Sequence, residues 1–515
     1  MGRLAQFSIL VAAILLQAQR AIAEAPQATM EKVADALPEL EAYALGLING
    51  DATPGLSIAI VFQDKVVYLK GFGVRKKGRP DPVDADTVFQ LASASKPISS
   101  TIVAALVGDG TVSFDSRIAE IDPAFELSEA YPTQQLTIRD LFSHRSGLPG
   151  NAGNELEGLG FDRHNILGRL RLVRPANSFR AGYSYSNFGL TEGAIAAAKA
   201  AHMSFEDLAE AKLFKPLGMT STSARYADFL SRSNRAELHV RHDGKWQTLA
   251  KRDPDAQAPA GGVSSSARDL AQWVRLELAH GERDGKPLIG KDAIDETHAP
   301  QISLGKHPIT GDPVFYALGW NVTYGRYGTV WGHAGAFSTG ARTLVSLIPN
   351  EQLGIVVLAN AFPTGAPKAA ADTFFDLVFK GGPTRDWLTS WNTAYESLFG
   401  PAIAAAKSTY GTQPTLPSPA MALSAYTGTY ENAYLGKALV TELDGALLLG
   451  LGTNSAKAYP LVHFDRDLFL CHPFDETPDL PSAVSFRIGP DGKAGQMTIE
   501  HLDELGLGTL ARVKD

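Results

Sequence analysis

Three short patterns along this sequence combine side chains that could carry out covalent acyl transfer. Ser93 and Lys96 stand three residues apart, Tyr185 and Asn187 stand two apart, and His333 begins a His-Ala-Gly triplet. A serine hydroxyl becomes a strong nucleophile when a neighbouring base removes its proton, and lysine or tyrosine can serve as that base. The order of the three patterns therefore predicts catalysis through Ser93.

The segment around Ser93 predicts that this serine opens a helix. A helical pattern over 98–107 follows it, and glycines at 108 and 110 end that pattern. Pro97 suits the first turn of a helix, where its missing N–H costs nothing. Residues three apart share a helix face, so Lys96 should reach the Ser93 oxygen. The free N–H groups of a helix N-terminus would also suit an oxyanion.

The other two patterns supply further candidate groups. A phenol has a pKa of about 10, so Tyr185 needs a nearby cation such as Lys96 to become a useful base. The Asn187 amide can hydrogen-bond both protein side chains and a substrate amide. A neutral His333 could donate to a substrate carbonyl and should titrate near a pKa of about 6.5. Gly335 would let a substrate backbone approach the strand edge.

Each pattern occurs a second time, so context must decide between the copies. The second copies begin at Ser303, Tyr430 and His242. The Ser303 copy contains a glycine and lies between two prolines, which predicts a loop. The Tyr430 copy has no helix after it, and flanking helix and strand signals favour the first copies. A further histidine, His144, is interpreted as structural.

The distribution of strand and helix patterns predicts an α+β fold. Strand patterns cover 56–62 and 65–68 near the start, and 341–348 and 354–360 much later. The region 180–330 between them is richer in helical patterns. This arrangement predicts an antiparallel sheet flanked by helices, whose first and last strands meet around a helical insertion.

A second, smaller unit is predicted at the C-terminal end. Residues 368–407 are largely helical in pattern, and the proline-rich 412–419 is typical of a linker. Short strand patterns follow, and Asp-Gly pairs at 444 and 491 predict hairpin turns. The predicted organisation is a signal peptide (1–23), a hydrolase domain (24–385), a helical segment and linker (386–420) and a small all-β barrel-like domain (421–515).

Composition narrows the function class. The chain has 515 residues and a formal net charge of −8, which gives no basic footprint for nucleic acid. No metal-ligand cluster, phosphate loop or dinucleotide fingerprint is evident, so neither a metal nor a cofactor is predicted. Cys471 is the only cysteine, which excludes an internal disulfide and favours a packing role.

An export signal is predicted at the start of the chain. A positive charge at Arg3 precedes an apolar run over 7–16, and small residues at 21–23 offer a cleavage site. The run is about half the roughly 20 apolar residues that a membrane-spanning helix needs. Cleavage without stable membrane insertion, and a periplasmic or secreted location, are therefore expected.

The order S-x-x-K, Y-x-N, H-x-G resembles the serine β-lactamase and penicillin-binding-protein superfamily, in the branch that holds class C β-lactamases, D-aminopeptidases and esterases. The resemblance implies that Ser93 is acylated, that Lys96 and Tyr185 move its proton, and that backbone N–H groups of Ser93 and Ala336 form the oxyanion hole. The C-terminal part is similar to lipocalin-like domains carried by some members. Class C β-lactamases have lysine where this chain has His333, which argues against antibiotic hydrolysis.

The predicted function is an exported serine peptidase or amidase that acts on small peptides. The expected substrates contain D-residues or other unusual bonds, and linearised cyclic peptides are one example. A short-chain carboxylesterase using the same residues is the first alternative. A penicillin-binding sensor that forms a stable adduct without turnover is the second.

Overall fold

The computed structural model describes residues 27–473 and 480–513. The predicted signal peptide, 1–23, lies outside the described residues. In the part of the chain that is described, no helix combines the length and apolarity needed to cross a membrane.

One eight-stranded antiparallel sheet forms the centre of the larger unit. Its spatial order is β2-β1-β8-β7-β6-β5-β4-β3. In chain order the strands are β1 (Gly55–Phe62), β2 (Lys65–Gly73), β3 (Ile302–Lys306), β4 (Pro313–Tyr316), β5 (Asn321–Gly325), β6 (Gly328–Phe337), β7 (Ala341–Ile348) and β8 (Leu353–Ala359). Strand β1 pairs with β8 along its length. The prediction that the first and last strands meet is confirmed.

Helices cover both faces of this sheet. The longer helices are α1 (Met30–Asn49), α2 (Ser95–Gly108), α3 (Asn187–Ala200), α4 (Ala267–Leu278), α5 (Ala366–Lys380) and α6 (Trp387–Tyr410). Alternate residues of β1 pack on opposite sides: Ile58 joins α1 and α5, whereas Ala59 joins α2 and α4. Because both faces are covered, every residue of β1 is buried, and its sequence is apolar rather than alternating.

The helical insertion lies between β2 and β3. It starts with α2 at Ser95 and ends before strand β3 begins at Ile302, so it extends well upstream of the region 180–330 in which helical patterns are richest. Most of its helices are too short to show a hydrophobic period. They are Ile118–Ile121, Ala130–Gln135, Ile138–Phe142, Asn154–Gly158, Arg163–Arg169, Phe205–Ala209, Tyr226–Ser231 and Lys291–Thr297.

Three small strand groups complete the larger unit. Phe89–Gln90 pairs with Ser264–Ser265, and Glu282–Arg283 pairs with Lys286–Pro287. His239–His242 pairs with Lys245–Gln247 on one side and with Ala361–Phe362 on the other.

The C-terminal unit is a closed eight-stranded barrel, consistent with the predicted lipocalin-like domain. Its strands are β9 (Gly428–Asn432), β10 (Gly436–Leu443), β11 (Ala446–Leu451), β12 (Lys457–Asp465), β13 (Leu468–Cys471), β14 (Ser482–Ile488), β15 (Ala494–Ile499) and β16 (Thr509–Arg512). The predicted turn at Asp444 and Gly445 joins β10 to β11, and both residues have positive φ, as a two-residue hairpin turn requires. Cys471 is buried in the barrel wall.

Candidate active site

Ser93 lies in a short 3-10 turn that leads directly into α2. Helix α2 begins at Ser95, two residues later than the sequence predicts. The cause is Ala92, whose φ of +49° is left-handed and interrupts the helical path. Such a conformation costs a non-glycine residue roughly 1–2 kcal/mol. The sheet holds the turn in place, because the Thr343 hydroxyl donates to the Leu91 carbonyl oxygen at 2.6 Å.

Lys96 is fully buried in the first turn of α2. Its Nζ lies 2.7 Å from Asn187 Oδ1, 2.9 Å from the Ala260 carbonyl oxygen and 3.2 Å from Ser93 Oγ. Burial lowers the pKa of Lys96 well below its ordinary value of 10.5. The surroundings therefore favour the uncharged amine.

The three contacts of this amine determine where its lone pair points. Amide and peptide oxygens only accept hydrogen bonds, so Asn187 and Ala260 take the two N–H groups of a neutral amine. The lone pair then faces Ser93 Oγ, at 3.2 Å the longest of the three contacts. In this state the Ser93 hydroxyl donates to Lys96, which is the geometry of a nucleophile beside its base.

Tyr185 lies against the same amine. Lys96 Nζ is 4.5 Å from the centroid of its ring. Tyr185 precedes α3 because Ser186 is the N-cap of that helix. The Ser186 Oγ accepts from the Gly189 N–H at 3.1 Å. Burial raises the pKa of Tyr185 above its ordinary value of 10.0, and a hydrogen bond with Ser93 offsets this only in part. The predicted depression of this pKa by Lys96 is wrong, because the buried lysine itself favours its neutral form.

Asn187 is the first residue of α3 and connects the site to a neighbouring helix. Its Oδ1 accepts from Lys96, and its Nδ2 donates to Asn154 Oδ1 at 3.3 Å. Asn154 opens the short helix that ends at Gly158. The structure thus brings Ser93, Lys96, Tyr185 and Asn187 to one place.

The third pattern lies on β6, where the strand has one free edge. Strand β5 pairs with β6 only as far as Gly332, so residues from His333 to Phe337 pair with β7 alone. Ala336 belongs to this stretch. A free strand edge can take up an extended chain by main-chain hydrogen bonds.

Glycine is required at position 335 for a reason that differs from the predicted one. A Cβ at this position would overlap the Leu91 carbonyl oxygen and would lie 3.0 Å from the Ala94 nitrogen. The backbone that approaches Gly335 is therefore that of the Ser93 turn. Glycine here lets the third pattern lie directly against the first.

A chain of hydrogen bonds connects the third pattern to two residues that were not predicted as site residues. The Ser186 N–H lies 3.1 Å from His144 Nδ1, and His144 Nε2 lies 3.2 Å from the Tyr316 hydroxyl. That hydroxyl is 3.0 Å from His333 Nε2, and His333 Nδ1 is 2.8 Å from the Ala334 carbonyl oxygen. The two fixed ends give every link a direction. Both imidazoles are neutral, and Tyr316 donates to His333.

This chain changes the interpretation of His333 and His144. Both ring nitrogens of His333 have protein partners, and burial lowers its pKa to about 3. The predicted titration near its ordinary value is therefore wrong. His144, interpreted as structural, has its ring 4.6 Å from that of Tyr185. Its Ser-His-Arg-Ser-Gly context was a usable signal, whereas no local spacing marked Tyr316.

A cavity of about 530 Å³ adjoins these residues. Tyr185 and His333 line one part, and Lys368 of α5 and Trp391 of α6 line another. Lys368 Nζ lies 4.1 Å from the Trp391 ring centroid, and burial lowers the pKa of Lys368 to about 8. The volume of the cavity is in the range of small-molecule sites, about 300–1,000 Å³.

The second copies of the patterns lie on separate elements. Ser303 is in strand β3, so the predicted loop there is wrong. An edge strand tolerates the glycine and flanking prolines that indicated a loop. His242 ends the short strand that begins at His239, and Tyr430 lies in barrel strand β9.

The fold and its sequence relatives define a serine hydrolase of the β-lactamase-like class. A family model described as Beta-lactamase matches residues 30–378, and the chain belongs to this family. A second model, a domain of unknown function (DUF3471), matches residues 412–508. The unguisins hydrolase ungD' of Aspergillus campestris is 26% identical over 483 residues, covering 88% of this chain and 87% of that protein.

Two solved structures share the fold. The octameric penicillin-binding protein homologue from Pyrococcus abyssi has a TM-score of 0.58 at 19% identity, covering 90% of this chain and 98% of that one. A class C β-lactamase from Rhodobacter sphaeroides has a TM-score of 0.52 at 24% identity, covering 63% and 94% respectively. The first likeness extends over nine tenths of the chain and therefore beyond the hydrolase unit.

Proposed function

We propose that this chain hydrolyses small peptides through an acyl-enzyme at Ser93, with D-residue or otherwise unusual bonds as its substrates. The observation that carries the proposal is the Lys96 amine, whose two N–H groups are taken by carbonyl oxygens and whose lone pair faces Ser93 Oγ at 3.2 Å. A neutral buried amine can act as a base at neutral pH without further activation.

The reaction follows from this arrangement. Ser93 Oγ attacks the substrate carbonyl carbon while its proton passes to Lys96, and the carbonyl oxygen becomes an oxyanion. The N–H groups of Ser93 and Ala336 are proposed to stabilise that charge. The carbon–nitrogen bond then breaks, and the leaving amine takes the proton through the Tyr185 hydroxyl. Water hydrolyses the acyl-enzyme by the same proton path in reverse.

Two features support a peptide as the substrate. The edge of β6 from His333 onwards offers main-chain groups to an extended chain. The cavity beside His333 adds room for several residues, and Lys368 gives it a cation. A relative named as a hydrolase of unguisins agrees with a hydrolytic reaction. Linearised cyclic peptides remain one proposed substrate.

The test compares a D-alanyl anilide with a short nitrophenyl ester on the purified chain. Amide turnover that is lost in Ser93→Ala supports the proposal, with Ser303→Ala as the matched control that keeps full activity. Loss of activity is expected to exceed about a thousandfold, as for other nucleophile deletions. Ester turnover without amide cleavage would show an esterase, and a stable Ser93 adduct without turnover would show a penicillin-binding sensor.

Export is a separate proposal, supported by the pattern of residues 1–23. Expression of the full chain in a bacterium, followed by fractionation and N-terminal sequencing, tests it. A periplasmic or secreted product that begins at Glu24 is expected. A cytoplasmic product that keeps Arg3 would contradict the proposal.

A further inference from the structure

Tyr434 of the barrel packs against the hydrolase unit. Tyr434 lies in the turn between β9 and β10 and is 1% exposed. Its hydroxyl accepts from the Gly153 N–H at 3.0 Å and donates to Glu155 Oε1 at 2.5 Å. The Arg169 guanidinium donates to the Tyr434 carbonyl oxygen. Side chain and backbone of this one residue are therefore both held by the hydrolase unit.

Asn432 gives the turn its shape. Its Oδ1 accepts from the N–H groups of Tyr434 and Leu435 at 3.0 and 2.6 Å. Its Nδ2 donates to the carbonyl oxygens of Leu507 and Thr509 at 2.8 and 2.9 Å. All hydrogen-bonding groups of this amide are used within the barrel, so the turn is fixed to the barrel wall by contacts that do not involve the hydrolase unit.

The segment 150–155, here called the bridging loop, lies between the barrel and the proposed nucleophile. On the barrel side Tyr434 bonds Gly153 and Glu155. On the other side Asn154, the residue between these two, accepts from the Asn187 amide. Asn187 in turn accepts from Lys96 at 2.7 Å. Three successive contacts thus connect a barrel hydroxyl with the Lys96 amine.

Two further contacts place the bridging loop between the barrel and the proposed active site. At the start of the bridging loop, a Cβ on Gly150 would lie 3.0 Å from the Tyr185 carbonyl oxygen, so the loop backbone packs against that residue. The next residue, Asn151, donates its amide to Glu504 of the barrel. The bridging loop is therefore held by the barrel at both ends while it supports Tyr185 and Asn187.

We infer that Tyr434 is a positioning residue of the hydrolase site, and that the barrel holds the bridging loop in the form that keeps Asn187 on Lys96. The inference rests on the proposed function only in placing the nucleophile at Ser93. Nothing in it depends on which acyl substrate is used.

The inference predicts the direction in which the pH profile of kcat/KM shifts when the bridging loop relaxes. The Asn187 oxygen accepts from Lys96 and so favours the ammonium form of this lysine. If the bridging loop relaxes, that contact weakens, and the pKa of Lys96 falls further. Because the neutral amine is the active base, the acid limb of the kcat/KM profile moves to lower pH while the maximal rate drops. Simple loss of stability lowers the rate but leaves the limb in place.

Tyr434→Phe is the main test, since it keeps the ring and removes only the hydroxyl. Tyr430→Phe is the matched control: Tyr430 is a fully buried barrel tyrosine whose hydroxyl donates to the Tyr426 carbonyl oxygen at 2.6 Å, within the barrel. Tyr434→Phe should lower kcat roughly tenfold or more, with little change in KM. It should also shift the midpoint of the acid limb to lower pH. Tyr430→Phe should leave kcat and the limb unchanged.

A phosphonate probe that labels reactive serines makes the result independent of the peptide substrate. Its rate of labelling at Ser93, followed by mass spectrometry across pH, reports the reactivity of the Ser93–Lys96 pair. If the wild-type chain labels at Ser93 but cleaves no peptide, the proposed function fails and the role of Tyr434 is still measured. Equal labelling rates and equal midpoints in wild type and Tyr434→Phe would overturn the inference.

Asn154→Ala provides the second variant, in case Tyr434→Phe does not fold. It removes the amide that contacts Asn187 without touching the barrel, and it should give the same downward shift of the acid limb. The double variant should shift no further than either single variant, because both act through one contact. Additive effects of the two substitutions, or an equal loss in Tyr430→Phe, would show a merely structural role and overturn the inference.

Discussion

The triplets Tyr185-Ser186-Asn187 and Tyr430-Glu431-Asn432 carry one pattern in two regions, and the regions use it differently. In the hydrolase unit the pattern spans the start of α3, so the tyrosine remains outside the helix beside a buried amine. In the barrel it lies within strand β9, where Tyr430 is fully buried and donates to a backbone carbonyl.

The two asparagines show the same contrast. Asn432 uses its amide on four backbone groups of its own barrel. Asn187 accepts from one side chain, Lys96, and donates to another, Asn154. A side-chain network can change its protonation state, whereas a backbone network only holds a shape. The pattern alone does not distinguish a catalytic role from a structural one. The secondary-structure element on which the pattern lies makes that distinction.

The largest expected effect distinguishes the two tyrosines. Tyr185→Phe should lower kcat/KM by roughly 10²–10⁴-fold, the usual contribution of a group that transfers a proton. Tyr430→Phe should leave kcat/KM unchanged and lower the free energy of unfolding by about 1–3 kcal/mol, since a buried carbonyl loses its donor. Steady-state kinetics with urea unfolding checks both. Similar kinetic losses in the two variants would break the comparison.

Substitutions of the two asparagines should also have different effects, but the difference in kcat should be smaller than for the two tyrosines. Asn187→Ala removes an acceptor from Lys96 and should lower kcat roughly tenfold or more. Asn432→Ala leaves four backbone groups without this partner, at contacts of which three are partly buried, and should lower the free energy of unfolding by roughly 1–3 kcal/mol. Kinetics and urea unfolding on both variants measure the two effects. A larger stability loss in Asn187→Ala than in Asn432→Ala would contradict the assignment.

Acid should affect the hydrolase unit before the barrel. Burial lowers the pKa of His144, His239, His307 and His333 in the native state, to about 4 for His307 and about 3 for His333. The unfolded chain takes up these protons near pH 6.5, so the stabilisation is complete above that pH and is lost as pH falls towards 4.

Tryptophan emission reports this loss selectively, because all six tryptophans precede residue 392. Urea midpoints from this emission should fall between pH 6.5 and pH 4. Hydrogen exchange of the barrel strands over the same range should change less. A barrel that loses protection first would be the contradicting result.

The smallest expected effect concerns His333. Its native pKa of about 3 leaves it neutral across the working range of the enzyme. His333→Gln should therefore leave the midpoint of the acid limb unchanged, although the rate itself changes when the bond from Tyr316 is lost. The kcat/KM profile of this variant checks the point. A limb that disappears in the variant would identify His333 as the titrating group.

The sequence predicts the local parts of this molecule well and the long-range parts poorly. The strands around Ile58 and Val356, and the proximity of Lys96 to Ser93, follow from patterns a few residues long. Tyr316 was missed because it meets His144 across 172 positions of sequence. The predicted shift in the pKa of Tyr185 has the wrong sign because burial, which raises this pKa, is a property of the folded chain.

The contact between Tyr434 and Gly153 also sets a time at which the site can be completed. The two residues are 281 positions apart, so a ribosome that has just made Gly153 must still add 281 residues to reach Tyr434. At about 5–20 residues per second this interval is roughly 14–56 s. During translation the bridging loop has no barrel to hold it. A product that terminates between Gly153 and Tyr434 carries Ser93 and Lys96 but never acquires that support.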